Sequence, residues 1–177
     1  MVTKDFKEIK LSSSKIYEGK VFNIFVDKVQ LPNGKESVRE VIHHNGGVTI
    51  VALPESDKVV LVKQFRYPLG KPLWELPAGR LDLNEDPVNG AKRELKEETG
   101  FVTGAIESLG IVYPAPGYSN EVLYFFKATN LTDDIPEPDH DENIEVKVVD
   151  LKQAWQMVKD GEIRDAKSIA GLSLVMF

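Results

Sequence analysis

Hydrophobic residues along this chain fall into short apolar runs and longer segments with a helical period. The short runs, rich in Val, Ile and Phe, predict strands at 19–31, 36–43, 48–53, 59–65, 105–113, 122–129 and 145–150. The helical segments lie at about 87–99, 151–160 and 166–177. Strands on both sides of a central helix, followed by two more helices, predict an α/β fold in which a mixed sheet lies between helical layers.

The first two predicted strands form a β-hairpin, because Pro-Asn-Gly-Lys at 32–35 is a strong turn signal between them. A further strand is expected to start within 11–16. The run 21–26 is apolar on both faces, and a small hairpin cannot bury both faces alone. We therefore interpret residues 1–45 as an N-terminal β-hairpin unit and dimerisation region, and 46–177 as the main domain.

Composition narrows the class of protein. The 177 residues include 42% hydrophobic ones, enough for a core, and carry a net charge of −6 without a polybasic run. This charge disfavours binding to nucleic acid or to an anionic membrane. The chain contains no cysteine, and we find neither a signal peptide nor an apolar run of transmembrane length. A cytoplasmic protein is the expectation.

The central helix has local signals at both ends. Asp86 is a suitable N-cap, Pro87 suits the first helical position, and Gly100 suits the residue after the last turn. Its apolar stripe consists of Val88, Ala91 and Leu95. The sequence therefore predicts a helix over residues 87–99.

Three glutamates lie on one arc of this helix, beside the apolar stripe. Glu94, Glu97 and Glu98 fall within about 100° of one another, and Glu85 precedes the helix and can fold back over it. A pair of glutamates on a helix usually belongs to a solvated acidic face. The alternative is a site for a hard cation such as Mg²⁺, which prefers oxygen ligands.

The spacing of the surrounding residues favours the cation site. Five residues separate Gly79 from Glu85, and seven more precede Arg-Glu-Leu-Lys-Glu-Glu-Thr-Gly-Phe at 93–101. This pattern resembles the signature of the Nudix hydrolases at every fixed position, and a chance match over so long a stretch is improbable. The resemblance implies the Nudix α/β/α sandwich and a metal-dependent pyrophosphohydrolase acting on a nucleoside diphosphate linked to another group.

The resemblance also implies a set of metal ligands. They are the backbone carbonyl of Ala78 and the side chains of Glu94 and Glu98, with Glu97 as a further ligand or a neighbour of the ligands. The implied cofactor is Mg²⁺, with Mn²⁺ as an alternative. Arg93 is expected to orient the carboxylates, since a guanidinium fork suits them, and we count Arg93 and Glu97 among the catalytic residues.

Three residues that precede this signature are candidates for binding the substrate. Arg66 alone is typical of a surface salt bridge, but Lys-Gln-Phe-Arg-Tyr-Pro at 63–68 resembles the Gln-x-Arg of Nudix enzymes acting on ADP-ribose. In those enzymes such an arginine contacts the phosphates, and a weaker match gives Arg39 a similar role. Glu75 lies among apolar residues and needs a partner if it is buried. The resemblance implies that Glu75 contacts the substrate ribose or a metal-bound water.

The segment 113–121 contains two prolines and a glycine, which predict a stiff loop. Read alone, it is an ordinary turn. Pro116 followed by Gly117, 16 residues after Gly100, resembles the mark of the branch acting on ADP-ribose and nucleoside diphosphate sugars. Tyr118 and Tyr113 are candidates for stacking on a base or sugar, although tyrosines beside prolines often only pack.

The acidic, proline-containing segment 131–143 is expected to be a loop. In this branch a glutamate from the loop serves as general base or reaches an additional metal ion. Aligning Ile-Glu-Val at 144–146 with the family pattern assigns that role to Glu142. His140 stands at a position that is often also glutamate, so His140 and Asp141 remain alternatives.

The resemblance thus implies hydrolysis of ADP-ribose or a related nucleoside diphosphate sugar to a nucleoside monophosphate and a sugar phosphate. One alternative is a broad hydrolase that prefers a substrate such as GDP-mannose. Another is a sensor that binds such a metabolite without hydrolysis, which the intact set of glutamates disfavours. The N-terminal part resembles the dimerising, often domain-exchanged part of ADP-ribose pyrophosphatases, so we expect a homodimer.

Overall fold

The computed structural model describes residues 6–135 and 143–177, which form ten strands and three α-helices. The contacts divide the chain into two units. Unit 1 comprises Met1–Asn45 together with Ala115–Glu121. Unit 2 comprises Gly46–Pro114 and Val122–Phe177.

Unit 1 is built on a three-stranded antiparallel sheet with the order β1-β2-β3. The strands are β1 (Ile9–Glu18), β2 (Phe22–Gln30) and β3 (Glu36–His44). Gly34 has a φ of 81°, a left-handed conformation that suits glycine in the turn between β2 and β3. The hairpin is present as predicted, and β1 extends it because this polar strand pairs with β2 along almost its whole length.

Unit 2 contains two sheets. The four-stranded sheet has the order β7-β4-β9-β8, with β4 and β9 parallel and the other pairs antiparallel. Its strands are β4 (Gly47–Ala52), β7 (Ala78–Arg80), β8 (Phe101–Val112) and β9 (Leu123–Asp133). The three-stranded sheet is antiparallel with the order β10-β5-β6, formed by β5 (Lys58–Arg66), β6 (Lys71–Glu75) and β10 (Ile144–Asp150).

The three helices are α1 (Pro87–Thr99), α2 (Leu151–Lys159) and α3 (Ala166–Met176). The prediction for α1 is confirmed at both ends. The Asp86 side chain accepts hydrogen bonds from two backbone N–H groups of the first turn, and Gly100 adopts a φ of 74°.

Buried strand β4 separates two hydrophobic cores. Val48 and Ile50 pack in one core with Ala91 and Leu95 of α1. Val51 points to the other core, whose helical members are Ala154, Met157 and Leu172 of α2 and α3. Because successive side chains of a strand point to opposite faces, α1 covers one face and the last two helices cover the other. The predicted α/β/α arrangement with a mixed sheet is confirmed.

The sequence reading was wrong about three stretches of unit 2. Residues 67–72 were expected to be a loop, but a short 3₁₀ turn at Tyr67–Leu69 leads directly into β6. Strand β9 continues to Asp133, inside the segment expected to be a loop, and β8 begins at Phe101 rather than at residue 105. No helix among the described residues is both long enough and apolar enough to cross a membrane.

Candidate active site

Arg93 of α1 contacts three carboxylates at once. Its Nε and Nη2 donate to the two oxygens of Glu85, each at 2.9 Å. Its Nη1 donates to Glu94 Oε1 at 2.9 Å and to Glu97 Oε2 at 2.8 Å. We call these four residues the helix cluster. Glu85 therefore folds back over α1 as expected, and Arg93 contacts the carboxylates that it was predicted to orient.

The close contacts within the helix cluster shift the pKa values of Arg93 and Glu85. Hydrogen bonds to Glu85, followed by the charge of Glu94, raise the pKa of Arg93 above its ordinary value against the opposing effect of burial. The bonds from Arg93 hold the pKa of Glu85 below its usual range. The helix cluster contains one guanidinium for three carboxylates.

Gly79 is packed directly against Glu94. A Cβ atom added at Gly79 would lie 1.8 Å from Cδ of Glu94, so any other residue would force this carboxylate to move. Only glycine therefore lets the carboxylate of Glu94 lie against the backbone of β7. The glycine that opens the signature has a steric role in placing one of the predicted metal ligands.

Glu98 approaches the same short strand from the end of α1. It is 4% exposed, and its Oε2 accepts a hydrogen bond from the backbone N–H of Ala78 at 3.0 Å. The structure therefore brings Glu98 to Ala78 and Glu94 to the adjacent Gly79. The helix spacing and the pairing of β7 with β4 together place these predicted ligands side by side.

These groups fit a hard divalent cation in their chemistry. Carboxylate oxygens from Glu94, Glu97 and Glu98, together with backbone oxygen of β7, are the donors that Mg²⁺ prefers. Within residues 6–135 and 143–177, no three acidic or histidine side chains already surround one point as ligands. Glu94 and Glu97 instead direct an oxygen at Arg93. A bound divalent cation would neutralise charge on a diphosphate and activate a water molecule.

A second group of charges surrounds Glu75 at the end of β6. Glu75 is 1% exposed, and Arg66 donates to both of its oxygens, each at 2.7 Å. Lys167 of α3 donates to Oε2 of Glu75 and, at 2.8 Å, to Asp165. We call Arg66, Glu75, Asp165 and Lys167 the strand cluster. Buried Glu75 therefore has two cationic partners, Arg66 and Lys167.

Charge balance in the strand cluster explains how Glu75 stays ionised. Burial raises the pKa of Glu75, but hydrogen bonds and charge from Arg66 and Lys167 outweigh it and hold the pKa below its usual range. The pKa of Arg66 is raised by Glu75 first and also by the charge of Glu98. The side chain of Arg66 stays 38% exposed, so the guanidinium remains accessible to a ligand.

The remaining substrate-binding candidates belong to unit 1. Arg39 on β3 pairs with Glu8, with Nε at 3.0 Å and Nη2 at 2.6 Å from its carboxylate oxygens. The segment containing Pro116, Gly117 and Tyr118 runs beside β3, where Tyr118 accepts a backbone hydrogen bond from Ile42 at 2.7 Å. Arg39, Glu8 and the segment Pro116 to Tyr118 line a cavity of about 310 Å³. The structure therefore brings Arg39 and the Pro-Gly-Tyr segment together within one unit.

Three predicted residues lie outside the described part of the chain, namely His140, Asp141 and Glu142. Conversely, the sequence did not predict Lys167 or its contact with Glu75. One signal was available, because Lys167 lies in the first turn of α3, where the helix dipole disfavours a positive charge. A lysine at such a position indicates a nearby carboxylate.

Comparisons with known families match almost the whole chain. The NUDIX domain family matches residues 43–172, and the nucleoside diphosphate sugar hydrolase N-terminal domain matches residues 8–42. Among curated relatives, the ADP-ribose pyrophosphatase of Bacillus subtilis is 38% identical over 167 residues, covering 93% of this chain and 90% of its own.

Two other relatives have different names. The methanol dehydrogenase activator of Bacillus methanolicus is 36% identical over 166 residues, covering 93% of this chain and 90% of its own. A GDP-mannose pyrophosphatase of Yersinia enterocolitica is 36% identical over 146 residues, covering 76% and 75%. A solved ADP compounds hydrolase superimposes with a TM-score of 0.87 over 98% of this chain and 95% of its own, and at 23% identity it supports the fold.

Proposed function

The chain belongs to the NUDIX family, and we propose that it hydrolyses the diphosphate of ADP-ribose or a related nucleoside diphosphate sugar. The products are a nucleoside monophosphate and a sugar phosphate, which for ADP-ribose are AMP and ribose 5-phosphate. The names of the similar pyrophosphatases support this substrate class. The observation that carries the proposal is the excess of carboxylate in and beside the helix cluster.

Mg²⁺ is the proposed cofactor, with Mn²⁺ as an alternative. One guanidinium contacts three carboxylates in the helix cluster, and Glu98 adds a fourth carboxylate against β7. A divalent cation would relieve this excess of negative charge. We assign the ligand role to Glu94, Glu98 and the carbonyl of Ala78, with Glu97 as a ligand or neighbour.

The chain's own residues then have distinct tasks. Arg66 would bind the substrate diphosphate through the part of its guanidinium that Glu75 does not use. Arg93 would keep the glutamates apart and oriented until substrate arrives. We propose Glu142 as the general base that takes a proton from the attacking water, with His140 and Asp141 as the alternatives.

We further propose that the protein is a cytoplasmic homodimer and that unit 1 supplies the contact. Its sheet exposes a set of large hydrophobic side chains, namely Ile9, Leu11, Ile16, Tyr17, Val21 and Val38. So many exposed large hydrophobic side chains in one small unit are typical of an interface between chains. A single species with the mass of a monomer at micromolar concentration in sedimentation velocity would contradict this proposal.

The second candidate substrate is a nucleoside diphosphate sugar such as GDP-mannose, favoured by the similarity to a GDP-mannose pyrophosphatase. Both substrates share the diphosphate that Arg66 would bind, and they differ in base and sugar. Tyr118, which follows Pro116 and Gly117, is the proposed contact to the base or sugar, and Arg39 is a further candidate for the phosphates. Substitution of Tyr118 is therefore expected to change the preference among substrates more than the rate with the preferred one.

The test is a phosphate-coupled turnover assay with Mg²⁺ and, in parallel, with Mn²⁺ or EDTA. The panel contains ADP-ribose, ADP-glucose, GDP-mannose, UDP-glucose, NADH and 8-oxo-dGTP. Cleavage confined to ADP-ribose supports the narrow assignment, and cleavage of several nucleotide sugars supports the broad one. Absence of turnover with every compound, in protein shown to bind Mg²⁺, would overturn the proposed hydrolase activity.

A further inference from the structure

We propose that Lys167 is a positioning residue for substrate binding, acting on Arg66 through the carboxylate that both residues contact. The inference rests on the proposed function, in which Arg66 binds the diphosphate. Lys167 itself need not touch the substrate, because its amine already contacts Glu75 and Asp165.

The hydrogen bonds at Glu75 support this assignment. Oε1 of Glu75 accepts from Nε of Arg66, and Oε2 accepts from both Nη2 of Arg66 and the amine of Lys167. A carboxylate that is 1% exposed has little water to share its charge. With Lys167 present, two cations share this charge, so less of the positive charge of Arg66 is neutralised.

Lys167 is held in place by the start of α3. Oδ2 of Asp165 accepts from the Lys167 amine at 2.8 Å, from the backbone N–H of Ser168 at 3.0 Å and from the Ser168 hydroxyl at 2.6 Å. The hydroxyl of Ser168 in turn accepts from the backbone N–H of Leu76 at 2.7 Å. The first turn of α3 is therefore bonded both to the side chain of Glu75 and to the backbone of the next residue.

The position of Lys167 carries an energetic cost that its contacts with Glu75 and Asp165 offset. A positive charge in the first turn of a helix is disfavoured by the helix dipole, and the Lys167 side chain is only 16% exposed. A lysine with a merely solubilising role would lie in water instead. Its ion pairs with Glu75 and Asp165 offset both the dipole and the burial.

Loss of the amine has a specific consequence for Arg66. Glu75 would then be balanced by Arg66 alone, and the negative charge of Asp165 would lose its partner. The positive potential that Arg66 offers to an anionic diphosphate would fall, whereas the carboxylates of α1 would be unchanged. Substrate binding should therefore weaken while the chemical step proceeds at nearly its normal rate.

The experiment compares Lys167→Met, Lys167→Arg and the matched exposed control Lys159→Met. The substrate is the nucleoside diphosphate sugar that the wild type hydrolyses fastest with Mg²⁺. Lys167→Met is expected to raise KM by about tenfold or more with kcat within about threefold of wild type. Lys167→Arg should restore KM to within about threefold, because it keeps the charge, and the control should match wild type.

A double-mutant cycle with Arg66→Met separates positioning from general structural damage. If Lys167 acts through Arg66, the effect of Lys167→Met on KM should largely disappear in the Arg66→Met background. An equal effect in both backgrounds, an unchanged KM, or a loss confined to kcat would overturn the inference. Lys167→Gln replaces the Met variant in the cycle if thermal unfolding shows that Lys167→Met does not fold.

Equilibrium binding distinguishes failure of the inference from failure of the proposed function. The same variants are titrated with ADP-ribose in EDTA by calorimetry, so that no turnover is needed. Wild-type binding about tenfold tighter than that of Lys167→Met supports the inference even if no compound is hydrolysed. Turnover by the wild type together with identical binding by both proteins would overturn the inference alone.

Discussion

The helix cluster and the strand cluster are built from the same kinds of residue but differ in their balance of charge. In the helix cluster one guanidinium contacts three carboxylates, with the fourth carboxylate of Glu98 beside the same strand. In the strand cluster Arg66 and Lys167 face Glu75 and Asp165, so cations and anions are equal in number.

This difference indicates what each cluster does. A set of ion pairs with equal numbers of cations and anions has no need of a further cation, and it fixes the geometry of the groups that it contains. In the helix cluster the carboxylates outnumber the cations, so a further positive charge would balance them. We therefore interpret the strand cluster as the support of a substrate arginine, and the helix cluster as the place where a divalent cation binds.

The largest expected effect follows substitution of Glu98. Glu98→Gln is expected to lower kcat by about a thousandfold or more, because a proposed metal ligand loses its charge. The fold should persist, since the amide oxygen of glutamine can still accept from the Ala78 N–H. Turnover and urea unfolding are the measurements, with the exposed Glu107→Gln as control. Near-wild-type activity in Glu98→Gln would show that Glu98 is not a ligand.

The next largest effect is a difference between Arg93 and Arg66 in how Mg²⁺ stabilises their variants. Arg93→Met is expected to lower the free energy of unfolding by about 2 kcal/mol in EDTA, because three carboxylates lose their shared partner. Saturating Mg²⁺ should restore most of this loss, since a cation that binds the folded state stabilises it. Arg66→Met should gain no more from Mg²⁺ than the wild type does. Equal gains in the two variants, measured by urea unfolding, would remove the distinction between the clusters.

The smallest effect concerns pH. The pKa of Glu75 is lowered in the folded protein, so the stability it contributes is present above the ordinary glutamate pKa of about 4.3 and is lost as pH falls towards the lowered value. Between about pH 6 and about pH 3, Glu75→Gln should therefore lose less stability than the wild type.

Glu85 provides the comparison for this pH effect. Its pKa is also lowered, by Arg93, but its side chain is more exposed than that of Glu75. Glu85→Gln should therefore flatten the pH dependence of unfolding less than Glu75→Gln does. The measurement is urea unfolding in EDTA over the same pH range. A larger change in Glu85→Gln would contradict the view that the strand cluster is the more tightly paired one.

Features encoded by neighbouring residues could be predicted from the sequence. Helix α1 has its cap, its proline and its terminal glycine within one short stretch, and the structure begins and ends it at the predicted residues. Helix periodicity placed Glu94 and Glu98 on one side of α1, and the family resemblance implied that Ala78 lies beside them.

Features that depend on distant partners could not be predicted. Strand β6 contains a proline and a lysine and looks like a loop, and it becomes a strand because it pairs with β5. The polar strand β1 is ordered by β2 in the same way. Glu75 was recognised as needing a partner, but Arg66 was assigned to substrate alone, and Lys167 lies 92 residues further along the chain.

The docking of α3 on Glu75 has a consequence for the order in which a newly made chain becomes competent. Because Lys167 follows Glu75 by 92 residues, a ribosome working at its usual speed adds it about 5–20 s later. By the end of that interval, before Lys167 is added, the nascent chain already contains every glutamate of the signature. Its substrate arginine, however, still lacks the second cation that shares the charge of Glu75. With the proposed role of Lys167, the site for the diphosphate is therefore complete only after the last helix has been made.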